Sequence, residues 1–118
     1  MEILYEDNHI IAINKSSSDI VQGDKTGDKP LVDNVREYLK ERYSKSGNVF
    51  CGVVHRLDRP VSGVVLFAKT SKALARLNEM LRGHEIKKKY WAIVVKPPQE
   101  QEATLKHYLV RNERQNKS

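Results

Sequence analysis

A single cysteine, Cys51, stands among 118 residues, which excludes an internal disulfide. Its neighbours Phe50 and Gly52 supply no activating base, so Cys51 is expected to be a small buried hydrophobe rather than a nucleophile. No CxxC pair occurs, and the four histidines, at positions 9, 55, 84 and 107, lack metal-ligand spacing, which argues against a zinc site. Gly23 and Gly27 do not lead into a helix as a phosphate-cradling loop must, and no nucleotide-binding fingerprint is present. Apolar runs stop after a few residues, far short of the roughly 20 that span a bilayer. The opening Met1-Glu2-Ile3-Leu4-Tyr5-Glu6-Asp7 has neither the basic nor the apolar region of a secretion signal. The expectation is a cytoplasmic chain with no membrane segment, metal site or nucleotide cofactor.

What is present suits one soluble globular domain over residues 1–118, with 39% hydrophobic and 31% charged residues. The 21 Lys and Arg against 15 Asp and Glu give a formal charge of +6 and a pI near 9.5, which favours an anionic partner. Composition does not distinguish RNA from DNA or a membrane surface.

The apolar groups Ile3-Leu4-Tyr5 and Ile10-Ile11-Ala12-Ile13, separated by Glu6-Asp7-Asn8-His9, predict an antiparallel hairpin. Residues 16–29, rich in Ser, Asp, Gly and Lys, predict a surface loop. Pro30 then opens a helix whose buried stripe is Leu31, Val35, Tyr38, Leu39 and Tyr43, with Gly47 beyond its end and Arg36, Glu37, Lys40 and Glu41 on the solvated face. Val53-Val54 and Val64-Val65-Leu66-Phe67-Ala68 have the β-branched content of buried strands. Thr70 or Ser71 caps a second helix, which places Ala73, Leu74, Leu77, Met80 and Leu81 in the core before Gly83 ends it. After Lys87-Lys88-Lys89, the run Tyr90-Trp91-Ala92-Ile93-Val94-Val95 predicts a strand closed by Pro97-Pro98. A further strand is expected over 104–111, and residues 112–118 form a polar tail.

Between the two valine-rich runs lies His55-Arg56-Leu57-Asp58-Arg59-Pro60-Val61-Ser62-Gly63. One carboxylate sits between two arginines in a Pro and Gly turn at the end of a sheet. Flanking cations favour the ionised form of Asp58, and the same arginines can grip a polyanion whose phosphates must be neutralised before a base reaches the acid. A plain surface turn with an ion-paired Asp has the same composition.

His55-Arg56-Leu57-Asp58-Arg59 followed by Ser62-Gly63 and the strand 64–69 resembles the signature of RluA-type pseudouridine synthases. The hairpin from Tyr5-Glu6-Asp7 to Asn14-Lys15 and the segment Lys88-Lys89-Tyr90-Trp91-Ala92 are similar to that family in the same order. The resemblance implies an α+β fold with a largely antiparallel or mixed sheet and two packed helices. It implies a cofactor-free isomerase that breaks the glycosidic bond of a uridine in ribosomal or transfer RNA, turns the uracil and rejoins it through carbon 5. By resemblance Asp58 is the catalytic carboxylate, acting on ribose or base. Arg56 fills the space left by a flipped-out uridine, a role its planar guanidinium suits, and Tyr90 lies against the target base. The bland alternative for Tyr90 is an ordinary strand aromatic. Arg59, His55, Lys88 and Lys89, with Lys87, are candidates for RNA contact. Edge-strand lysines also oppose aggregation, and a lone His beside a turn is often a satisfied structural group.

Ser16 and Val61 depart from the family pattern, which often has Pro and Thr at these places. Nothing after Arg111 resembles the family's second half, and no S4-type domain precedes the hairpin. These features imply the N-terminal portion of a catalytic domain, inactive alone and prone to self-association through open sheet edges. Two other readings are a non-catalytic RNA-binding module and a fragment that completes its sheet by associating with another chain.

Overall fold

A computed structural model describes residues 1–110. It divides into two units, the first Met1–Lys87 and the second beginning at Lys88. The first unit holds β1 (Glu2–Glu6), β2 (Ile10–Lys15), α1 (Leu31–Arg42), β3 (Gly52–Val53), β4 (Gly63–Ala68) and α2 (Ser71–Arg82). The strands form one sheet in the order β1-β2-β4-β3, and every pairing is antiparallel. No parallel pair occurs among the described residues, so the mixed-sheet option is set aside.

The predicted hairpin forms because Asp7 organises its turn, its carboxylate accepting the backbone N–H groups of His9 and Ile10 at 2.7 and 2.8 Å. Opposite register partners share a face, so the pairs Ile11 with Phe67 and Ile13 with Val65 put four large side chains on one side. Those four are at most 1% exposed and pack with Leu31, Val32, Val35 and Leu39 of α1. Burial of this apolar layer supplies the unit's main driving force. Pro30 has no side-chain cap to offer α1; the N–H groups of Leu31 and Val32 instead donate to the carbonyls of Ile20 and Val21, at 2.7 and 3.0 Å. Loop 16–29 is thereby fastened to the helix start. Tyr43 falls outside the expected stripe: it is the C-cap and is exposed, since it follows the last helical turn.

Helix α2 is capped by Thr70, whose hydroxyl accepts from the Ala73 N–H at 3.1 Å, and ends at Gly83. It lies against the other sheet face at β3, where Gly52 leaves room for Leu74; a Cβ there would come within 2.9 Å of Leu74 Cδ2. The expectation that its whole apolar stripe is core is corrected. Only Ala73 is buried, Leu74, Leu77 and Leu81 are half-buried, and Met80 is 38% exposed. The reason is geometric: the strands that α2 chiefly meets are β3 and β4, at one end of the sheet order, which leaves much of its apolar stripe half-buried.

Two strand expectations are also corrected. Val54 lies outside the two-residue β3, because the β3 to β4 register ends at Val53 opposite Phe67. In the second unit, residues 90–95 and the described part of 104–111 form no strand. Their composition favours extended backbone, but a strand exists only as part of a ladder, and no partner pairs with them among the described residues. Trp91, Ile93, Val95 and Tyr108 are each at least 94% exposed. Arg111 and the expected tail 112–118 lie outside the described residues. No helix among the described residues is long and apolar enough to cross a membrane.

Candidate active site

The Asp58 turn is built by a lysine that comes from another strand. Along β2 the alternation Ile11, Ile13, Lys15 directs Lys15 inward with the core residues, and it is 1% exposed. Its ammonium donates to the carbonyl oxygens of Ser16 and Arg59, each at 3.0 Å, and of Val61 at 2.6 Å. Three donors meet three acceptors, which makes a buried lysine tolerable. Burial lowers the Lys15 pKa and Arg59 adds to that, while Asp19 and Asp58 act in the opposite sense. Two of the three carbonyls belong to the turn, so the ammonium ties both of its arms to the sheet.

The turn closes with the Val61 N–H donating to the Asp58 carbonyl at 2.9 Å. Gly63 then restarts the chain as β4 with a φ of +142°, a value that side chains with a Cβ rarely adopt. Leu57 tucks against the core cluster, while Asp58 and Arg56 on either side of it are exposed. An anchored apolar residue thus alternates with two polar residues directed to solvent, and the acid is held without being buried.

Arg59 turns away from Asp58. Its guanidinium reaches the carboxylates of Asp24 at 3.2 Å and Asp28 at 3.1 Å, the Thr26 hydroxyl at 3.2 Å and the Ser18 carbonyl at 3.0 Å. The Ser18 N–H returns a bond to the Arg59 carbonyl at 2.8 Å. Loop 16–29 is therefore clamped along the turn. Hydrogen bonds from Thr26, with a smaller contribution from Arg59, lower the Asp24 pKa. Among the described residues neither Arg56 nor Arg59 forms an ion pair with Asp58, so the flanking-cation arrangement expected from sequence is replaced by one clamped and one exposed arginine.

His55 accepts the Leu66 N–H on its Nε2 at 3.0 Å, and so continues the β3 to β4 ladder after β3 has ended. That bond requires an unprotonated Nε2 and gives His55 a structural task. Tyr90, Lys88 and Lys89 lie in the second unit, exposed and outside any helix or strand. The first unit therefore gathers His55, Arg56, Asp58 and Arg59, while the other three candidates belong to the segment that follows. Cys51 is buried as expected, and burial pushes its thiol up to about 11. Among the described residues no group of three or more His, Cys, Asp or Glu could hold a metal ion.

Sequence reasoning assigned no role to Lys15, Asp24 or Asp28. The parity of β2 was the available signal for Lys15, since a lysine two residues beyond Ile13 falls on the buried face. No local pattern pairs Arg59 with acids more than thirty positions away.

The model of the RNA pseudouridylate synthase family matches residues 9–118. The ribosomal large subunit pseudouridine synthase C of Buchnera aphidicola subsp. Acyrthosiphon pisum is 42% identical over 92 residues, 78% of this chain. The synthase of the same name from Escherichia coli K12 is 40% identical over an equal length. In both cases the match spans 27% of the relative, so the chain corresponds to about a quarter of those proteins. The solved structure of human RNA pseudouridylate synthase domain containing 4 superimposes with a TM-score of 0.60 at 23% identity, over 71% of this chain and 30% of that one. That likeness bears on the fold. The family match over residues 9–118 and these synthase C relatives place this chain in the RNA pseudouridylate synthase family, in its RluA-type branch.

Proposed function

We propose that the chain is the N-terminal portion of an RNA pseudouridine synthase catalytic domain that acts on ribosomal RNA, with Asp58 as its catalytic carboxylate. The observation that carries this reading is the held but exposed Asp58, tied through Lys15 to the sheet and through Arg59 to loop 16–29. Such a turn presents an acid to a large substrate without losing the geometry that the reaction needs. The names of the curated relatives support ribosomal RNA as the target.

A uridine in structured RNA must leave its stack before the acid can reach it, at a cost of a few kcal/mol. Arg56, exposed beside Asp58, enters the vacated space and stacks on the neighbouring bases. Asp58 then acts on ribose or base while the bond from the ribose to N1 breaks, the uracil turns, and a bond from the ribose to carbon 5 forms as carbon 5 gives up its proton and N1 gains one. Tyr90 supplies the aromatic surface against the base, and Lys88 and Lys89 contact phosphate, once the second unit is paired as a strand. On this reading these 118 residues alone bind RNA without turning it over.

The experiment is pseudouridine mapping of ribosomal RNA treated with a longer natural form of the enzyme, with and without Asp58→Ala. Loss of the modification with retained RNA binding is the expected result. Turnover that survives Asp58→Ala contradicts the assignment.

A further inference from the structure

The first unit carries a groove that the Asp58 turn does not use. It lies between the start of β2 and helix α2 and has a volume of about 480 Å³, within the range of small-ligand sites. Its apolar floor is Ile10, Ala73, Leu77 and Met80, and it is lined also by Lys72 and Arg76, four residues apart on α2 and hence on one helix face. The turn residues Asn8 and His9 form the opposite wall, and no carboxylate lines the groove.

Among the described residues, Lys72 and Arg76 are among the cations of the unit that no carboxylate answers, as Arg56 is. Lys29, Arg36, Arg59 and Lys69 are each answered by a carboxylate. Lys72 and Arg76 are exposed, and neither forms an ion pair among the described residues. Two uncompensated cations beside an open apolar floor match a nucleotide chemically: the face of a base lies on aliphatic and thioether groups while its phosphates meet the cations.

We propose that this groove binds a nucleotide of the RNA remote from the reacting uridine, with its base on Ile10, Leu77 and Met80 and its flanking phosphates on Lys72 and Arg76. The inference rests on reading the chain as RNA-acting. The contact is largely blind to sequence, because any base presents a π-face and phosphate carries no sequence information. It holds the RNA in register and performs none of the chemistry.

The test compares the 118-residue chain with a K72A/R76A variant in binding a fluorescent fragment of large-subunit ribosomal RNA across a salt series. The expected result is about tenfold weaker binding at low salt and a slope of log K against log salt that is shallower by about two, roughly one for each phosphate that is no longer neutralised. M80D, which places a carboxylate on the floor, weakens binding further. Both cations are exposed, so circular dichroism of the variants should match that of the parent. Independently, 4-thiouridine in the unaltered complex should crosslink to peptides from residues 70–80. Unchanged affinity and slope in K72A/R76A, or crosslinks confined to other segments, overturn the proposal. Self-association through the groove with RNA affinity untouched by K72A/R76A overturns it equally. Failure of the synthase reading would look different: normal RNA binding, with no Asp58-dependent pseudouridine.

Discussion

Lys15 shows how a buried residue can determine where an exposed acid stands. Replacing it with Met keeps most of its volume but removes a donor from three carbonyl groups, two of them in the Asp58 turn, while those of Ser16 and Arg59 keep the backbone N–H groups of Asp19 and Ser18. The expected cost is about 1–3 kcal/mol in urea denaturation. In a longer active form, Lys15→Met should lower turnover more than it weakens RNA binding, and unaltered turnover and stability would refute the tether. His55→Ala removes the acceptor of the Leu66 N–H and should cost at least about 1 kcal/mol by the same measurement. The location of the acid was legible from the motif alone. Its surroundings were not: adjacency to Arg56 and Arg59 suggested flanking cations, and the tertiary contact of Arg59 with Asp24 and Asp28 removes one of them.

Among the elements, β1, β4 and α1 are knotted together by Glu6. Its carboxylate accepts from Tyr38 at 2.7 Å, from Tyr43, and from Lys69 at 2.7 Å, and the Lys69 ammonium also lies 4.6 Å from the centre of the Tyr43 ring. Burial alone would raise the Glu6 pKa, but the bonds from Lys69, Tyr43 and Tyr38 outweigh it and hold the group at about 2, below its ordinary 4.5. A depressed carboxylate stabilises the fold above its unfolded value, and that contribution fades as pH falls from about 4.5 through 2. The shift corresponds to at most about 3 kcal/mol. Glu6→Gln should therefore destabilise the unit at neutral pH and flatten its acid unfolding profile between pH 4.5 and 2; a profile of unchanged slope would dismiss the knot. Gly63→Ala should cost about 1–3 kcal/mol through backbone strain, because the site is open in space, with Leu57 Cδ1 at 3.6 Å, and only the φ of +142° resists a side chain. The hairpin, both helices and β4 were readable because each follows a local period with its own turn or cap. The α2 stripe misled, since helical period reports which side is apolar and cannot report whether anything packs against it.

For the whole molecule, local pattern has least authority in the second unit. Tyr90-Trp91-Ala92-Ile93-Val94-Val95 has strand composition, yet strand formation depends on partners that the segment itself does not encode. With Trp91 94% and Ile93 104% exposed, the segment has the profile of an aggregation-prone stretch, and Lys87, Lys88 and Lys89 are its charged gatekeepers. Sedimentation of the 118-residue chain should show concentration-dependent association that Trp91→Lys with Ile93→Lys suppresses; a strict monomer at all concentrations would contradict this. The central claim concerns Asp58, and the most direct measurement is chemical mapping of pseudouridine in ribosomal RNA exposed to a longer natural form of the enzyme and to its Asp58→Ala variant. The account predicts a modified uridine with the first, none with the second, and equal RNA binding by both. A modified uridine with both forms would contradict it.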